Sequence, residues 1–117
     1  MAKYSFSQTE RIKTDSHFQY LIDQGNKIVS NSFILYTVSK INETQNIGFI
    51  ASKKIGNAVL RNKSKRTLKE IVRQHQYHIH KQYDILLIAR KNLLNPSYKD
   101  LAHEFINSIQ EASIWID

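Results

Sequence analysis

Ile85-Leu86-Leu87-Ile88-Ala89 presents five consecutive apolar residues with no polar position to meet water. The run is far too short to span a bilayer and has the length of a strand. A strand without polar alternation is one covered on both faces, in the middle of a sheet. The chain must therefore supply a layer of other elements above and below that strand. With 117 residues it has the size for one core, so a single domain over 1–117 is expected.

The flanking pattern supplies candidates for those layers. From Ala58 to about His75, Leu60, Ser64, Thr67, Leu68, Ile71 and His75 fall in one arc at helical spacing, with Val72 at its edge. Gly56 permits a sharp or positive-φ turn just before this helix, and Asn57 can cap it. Ile47–Ser52 before it reads as a strand, so strand–helix–strand is the natural unit, with the two strands parallel. Ile28–Ser39 reads as one or two further strands, and the polar turn Asn42–Asn46 suggests that it forms an antiparallel hairpin with Ile47–Ser52. Thr14 or Asp15 can cap a short helix that stops at Gly25, with Phe18, Leu21 and Ile22 on one face. Ser97 with Asp100 resembles a capping arrangement for a last helix, whose apolar stripe is Leu101, Ala102, Phe105, Ile106 and Ile109. Residues 1–14 read as an extended arm, and Ile114-Trp115-Ile116 as an apolar tail without an evident partner.

Charge narrows the function. The net charge is +7, and the segment Lys53–Arg73 carries all of it: eight basic residues against Glu70 alone, the rest of the chain being neutral. Lys63, Lys65, Arg66, Lys69 and Arg73 occupy the outer face of the helix, with Asn62 among them and Arg61 at the boundary. Too few acids are present for i,i+4 pairing, so a merely solvated helix face is a weaker reading than a surface for a polyanion. Nucleic acid fits better than a membrane surface, because the apolar face lacks the large aromatics of interfacial helices. The chain has no cysteine, which excludes a disulfide scaffold, a Cys-based zinc site and a thiol nucleophile. Met1-Ala2-Lys3-Tyr4-Ser5 shows no secretory h-region, so the expected location is cytoplasmic.

No side-chain constellation suggests catalysis by the protein itself. There is no P-loop, nucleophile elbow or carboxylate pair, and Asp84, Asp100, Glu104 and Glu111 are scattered. His75, His78 and His80 cluster, but their spacing lacks the i,i+4 geometry of a helical zinc pair, so no metal site and no catalytic residue are expected. Phe18 and Tyr36 can stack on unpaired bases or belong to the core.

The stretch Ser52-Lys53-Lys54-Ile55-Gly56-Asn57-Ala58-Val59-Leu60-Arg61-Asn62-Lys63-Ser64-Lys65-Arg66 resembles the signature of the bacterial ribonuclease P protein family. Lys63 replaces the usual second Arg, and Lys69 stands where Arg is common; both keep charge and lose the bidentate fork. His17-Phe18-Gln19 resembles the family's Asp-Phe-Gln, Asn31–Tyr36 its first long strand, Gly48 the next, and Tyr83–Arg90 its Asp-apolar-Ala-Arg strand.

The resemblance implies an α+β sandwich in the order αβββαβα, with a mixed four-stranded sheet and an unusual left-handed β–α–β crossover. It implies a catalytic RNA partner, a precursor-tRNA substrate cut at the mature 5′ end, and magnesium held mainly by that RNA, with the protein alone inactive and no protein oligomer required. Lys53, Lys54, Asn57, Arg61, Asn62, Lys63, Lys65, Arg66 and Lys69 would then face the catalytic RNA. Arg11, Phe18 and Tyr36 would line the cleft for the 5′ leader. Ile22 departs from a frequent aromatic, and Ile50 from a frequent small polar residue in that cleft. The competing reading is a general ribosomal or ribosome-associated RNA-binding protein, which shares the basic helix and lacks a role in cleavage.

Overall fold

The computed structural model describes residues 9–11, 15–40 and 43–116. Its elements are β1 (Thr9–Arg11), α1 (Asp15–Gln24), β2 (Asn26–Val29), β3 (Phe33–Ser39), β4 (Gln45–Ile50), α2 (Ala58–His75), β5 (Tyr83–Ala89) and α3 (Tyr98–Glu111). From α1 onward this is the αβββαβα order. The expected four strands are joined by β1, a three-residue edge strand parallel to β4. The sheet is mixed, in the order β1-β4-β5-β3-β2.

The apolar run lies where its composition requires, on the central strand. β5 is antiparallel to β3 and parallel to β4. Its side chains alternate between two cores. Ile85, Leu87 and Ala89 join Phe33, Leu35 and Ile47 beneath α2 and α3, which contribute Leu68, Ile71, Leu101, Phe105 and Ile109. Leu86 points the other way, into a smaller cluster with Leu21 of α1 and Tyr36 of β3. Burying a Leu or Ile side chain contributes about 1.5–3 kcal/mol, so a strand serving both layers ties them into one cooperative unit.

Two expectations are corrected. β3 and β4 do not form a hairpin, because β5 stands between them; the antiparallel hairpin is β2–β3, with Asn26 opposite Thr37 and Val29 opposite Ile34. Val72 is fully buried rather than at the edge of the α2 stripe, while Leu60 at the first turn is exposed.

Local chemistry explains the boundaries. Asn57 Oδ1 accepts the Leu60 amide at 3.0 Å to open α2, and Gly56 before it has φ 142°, a conformation that favours glycine. Ser97 Oγ accepts the Asp100 amide at 3.2 Å to open α3. Gly25 ends α1 because a Cβ there would lie 2.3 Å from the Leu21 carbonyl oxygen. Glu104 of α3 accepts from the Ser32 amide at 3.0 Å and from the hydroxyls of Ser30 and Ser32, which pins the β2–β3 turn onto the helical layer. The apolar tail finds its partner in the connection after α2: Trp115 bridges Ile79, and the His80 amide donates to the Ile114 carbonyl at 2.7 Å.

Candidate nucleic-acid interface

The basic segment folds as a loop and a helix held to the core from one side only. Lys53 and Lys54 are exposed on a short 3-10 turn, and Ile55 of that turn packs against the main core. Ser52 Oγ accepts the Lys54 amide at 3.3 Å and closes the turn. Along α2, Ser64, Leu68, Ile71 and Val72 face inward, so the cations at the intervening positions face out.

Helical spacing sorts the outward polar side chains into two stripes that share Arg66. Asn62, Lys65, Arg66 and Lys69, at i, i+3, i+4 and i+7, surround Val59 in an open depression of about 470 Å³. Val59 is 71% exposed, an apolar patch inside a cationic rim. Lys63 stands on the neighbouring stripe with Arg66, Thr67 and Glu70, beside Tyr98 from the start of α3. Tyr98 is 45% exposed and was not anticipated, since nothing in its local sequence separates it from an ordinary first-turn residue. Burial holds its hydroxyl above the usual tyrosine range, Glu70 adds to the effect, and Arg73 opposes it.

The one acid of the segment is turned away from the depression. Glu70 takes a hydrogen bond from Arg73 and another from Gln74 Nε2 at 2.9 Å. Asn57 spends its side-chain oxygen on the helix cap. Arg61 is half-buried, and its Nε is buried without a hydrogen-bond acceptor among the described residues.

The second group of expected residues lies across the molecule. α1 packs over β3 and β5 on the sheet face opposite α2 and α3. Phe18 is half-buried beside Leu21, Tyr36 and Leu86. Tyr36 is only 8% exposed, so it contributes as much to the core as to any surface. Arg11 belongs to β1, and its side chain lies outside the described residues. Beneath the start of α1, the fully buried Asp84 accepts the Asn46 amide at 2.8 Å and lies 3.4 Å from His17 Nε2. This carboxylate joins β5, β4 and α1, and so sets the position of Phe18, one residue along from His17.

The remaining acids and histidines are held apart. Glu104 is engaged by the β2–β3 turn, and Asp100 lies in the first turn of α3. His75 Nδ1 lies 2.8 Å from the Ile71 carbonyl. His78 stacks on Trp115, with ring centroids 4.6 Å apart. His80 Nδ1 accepts the Gln82 amide at 3.1 Å. Among the described residues no three His, Asp or Glu side chains converge as a metal site, and no helix is long and apolar enough to cross a membrane.

Residues 6–113 match the family model described as Ribonuclease P. The ribonuclease P protein component of Exiguobacterium sibiricum is 37% identical over 101 residues, 86% of this chain and 84% of that protein. That of Syntrophomonas wolfei is 31% identical over 105 residues, 90% of this chain and 88% of that protein. The RNase P protein of Staphylococcus aureus superposes with a TM-score of 0.80 at 30% identity, over 92% of this chain and 99% of that one. The Thermotoga maritima RNase P protein shares the fold, with a TM-score of 0.76 at 24% identity over 87% of this chain and 96% of that one. With nearly its whole length matched in sequence and in fold, the chain belongs to the ribonuclease P protein family.

Proposed function

We propose that this chain is the protein subunit of a ribonuclease P ribonucleoprotein, docking its α2 face on the catalytic RNA while the α1 side of the sheet holds the 5′ leader of precursor tRNA. The observation that carries the reading is the depression formed by Asn62, Lys65, Arg66 and Lys69 around Val59, in a chain of this family. A cationic rim binds phosphate through counterion release, and an exposed apolar centre gives a sugar or base edge something to touch. The amide end of α2 and the Lys53-Lys54 turn extend the same field. The buried Nε of Arg61 supports the reading, since an RNA oxygen would satisfy it once the side chain turns outward.

The mechanism that follows is electrostatic. Two RNAs meeting at an active site repel each other through their phosphates. A small cationic protein bridging both lowers that repulsion and the magnesium concentration needed to overcome it. In this reading the RNA holds the magnesium and performs the hydrolysis, and the protein positions the leader.

The test is cleavage of precursor tRNA at low magnesium by a bacterial ribonuclease P RNA, with and without this protein, beside a protein-only control. Cleavage at the mature 5′ end only when both are present is the expected result. A folded protein that gives no stimulation and binds many RNAs with similar salt sensitivity would instead be a general RNA-binding protein.

A further inference from the structure

The second stripe of α2 runs Lys63, Arg66, Thr67, Glu70 and Gln74, at i, i+3, i+4, i+7 and i+11. Its two ends differ in kind. Lys63 and Arg66 are exposed, and neither is in an ion pair among the described residues. Glu70 is committed, taking hydrogen bonds from Arg73 and from Gln74 Nε2. Gln74 in turn accepts from the hydroxyl of Tyr98, in the first turn of α3. A first-turn side chain leans back towards the start of its own helix, and this one reaches across to α2. The chain Arg73–Glu70–Gln74–Tyr98 therefore fixes the phenol end of the ring. Burial and Glu70 both hold that hydroxyl above the usual tyrosine range, so it stays a donor at neutral pH.

Tyr98 is anchored without being covered. The residue is 45% exposed, and with Lys63, Arg66, Thr67 and Glu70 it borders an open depression of about 400 Å³. Thr67 spends its hydroxyl on the Lys63 carbonyl at 2.9 Å, which leaves the two cations and the ring to meet a ligand. A ring already held at its polar end loses little freedom when another ring lies on it. An aromatic face beside unpaired cations suits an unpaired nucleotide, whose base stacks and whose phosphate meets the charge. Bases inside a duplex are already stacked and have no face to offer.

Resting on the reading above, we propose that Tyr98 is a stacking platform for one unpaired nucleotide of the catalytic RNA, whose phosphate is taken by Lys63. Arg66 borders both depressions of α2, so this nucleotide is continuous with the RNA that crosses the one around Val59. Lysine suits the position, since a phosphate needs a point charge there and not a planar fork. Glu70, the one acid of the basic segment, acts through Gln74 to set the ring and does not touch the RNA.

The experiment measures binding of a bacterial ribonuclease P RNA by the full-length protein over a salt series, first without precursor tRNA. Tyr98→Ala and Tyr98→Leu are each expected to bind about tenfold more weakly at every salt concentration, with the slope of log affinity against log salt unchanged. Leucine keeps apolar bulk and lacks the flat ring, so it also answers the question should the alanine variant fold poorly in urea titration. Tyr98→Trp should bind at least as tightly as wild type, and Tyr98→Phe should keep most of the affinity. Lys63→Ala should instead lower the slope by about 0.7 to 0.9. Wild-type affinity in the leucine variant, a loss in Tyr98→Phe as large as in Tyr98→Leu, or a loss seen only once precursor tRNA is added would overturn the inference while leaving the subunit assignment intact. Failure of the wild-type protein to prefer this RNA over unrelated RNAs would instead remove the reading on which the inference rests.

Discussion

Replacing Lys65 and Arg66 together by alanine tests the α2 face most directly. Both line the depression around Val59, and neither belongs to the inward set Ser64, Leu68, Ile71 and Val72. If each neutralises one phosphate, the slope of log affinity against log salt falls by about 1.5 for the pair. Near 100 mM salt that corresponds to about 30-fold weaker binding, or about 2 kcal/mol. The assay is a salt titration of catalytic-RNA binding, with Lys81→Ala as the comparison. Lys81 is exposed in the turn before β5, away from α2 in the chain, and carries the same charge. The double variant should lose slope, and Lys81→Ala should lose little. Equal loss in both would mean that overall charge and not this face drives binding, and an unchanged slope in the double variant would refute the assignment.

The other expectations concern single side chains. Phe18→Ala should cost about 1–3 kcal/mol of leader affinity and, because the ring is half-buried against Leu21, Tyr36 and Leu86, less stability than Tyr36→Ala, which removes a nearly buried ring; urea titration beside leader binding separates the two. Asp84→Ala leaves the Asn46 amide buried without its acceptor, so urea unfolding should show a loss of about 2–3 kcal/mol, and Asp84→Asn, which keeps an acceptor oxygen, should lose less. Ser64→Ala removes a buried hydroxyl with no hydrogen-bond partner among the described residues and improves helix propensity, so calorimetry should show a gain of about 1 kcal/mol; a loss would mean that the hydroxyl has a partner. Ultraviolet titration should find Tyr98 ionising above the ordinary tyrosine range, mainly because of burial, and Glu70→Gln should bring it part of the way back. Because the unfolded chain ionises that hydroxyl first, any stability it contributes is lost as pH rises from about 10 towards the folded value.

Local signals were read well where a few neighbouring residues determine the outcome. The limits of α2, its Asn57 cap, the Ser97 cap and the glycine at position 56 all follow from short-range geometry, and the structure has them in place. The central position of β5 was legible because an unbroken apolar run has only one comfortable environment. Strand pairing was not, because the polar turn before Gln45 looks like a hairpin turn whether or not β5 intervenes. The partner of Trp115 was hidden for the same reason, since the Ile79 strand bridge joins residues far apart in the chain. Within the candidate site, the split between Lys63 and the Asn62–Lys69 stripe follows from helical phase, whereas the meeting of Phe18 with Tyr36 and Leu86 depends on how α1 packs over strands distant from it in the chain. Composition alone does not contain that packing.

The placement of β5 also sets an order of events during synthesis. It is the last strand to leave the ribosome and the one on which both halves of the sheet depend. Until Ala89 has emerged, β3 and β4 each present an unpaired ladder, and α2 has no completed sheet beneath it. The nascent chain therefore carries its most cationic helix and two open strand edges at once, a combination prone to joining with other chains. Closure requires contacts distant in sequence, which slows folding relative to a helical protein of the same length. A chain released before Tyr83 has no route to the native sheet, and loss of the last third of the sequence removes the element that makes the first two-thirds a fold.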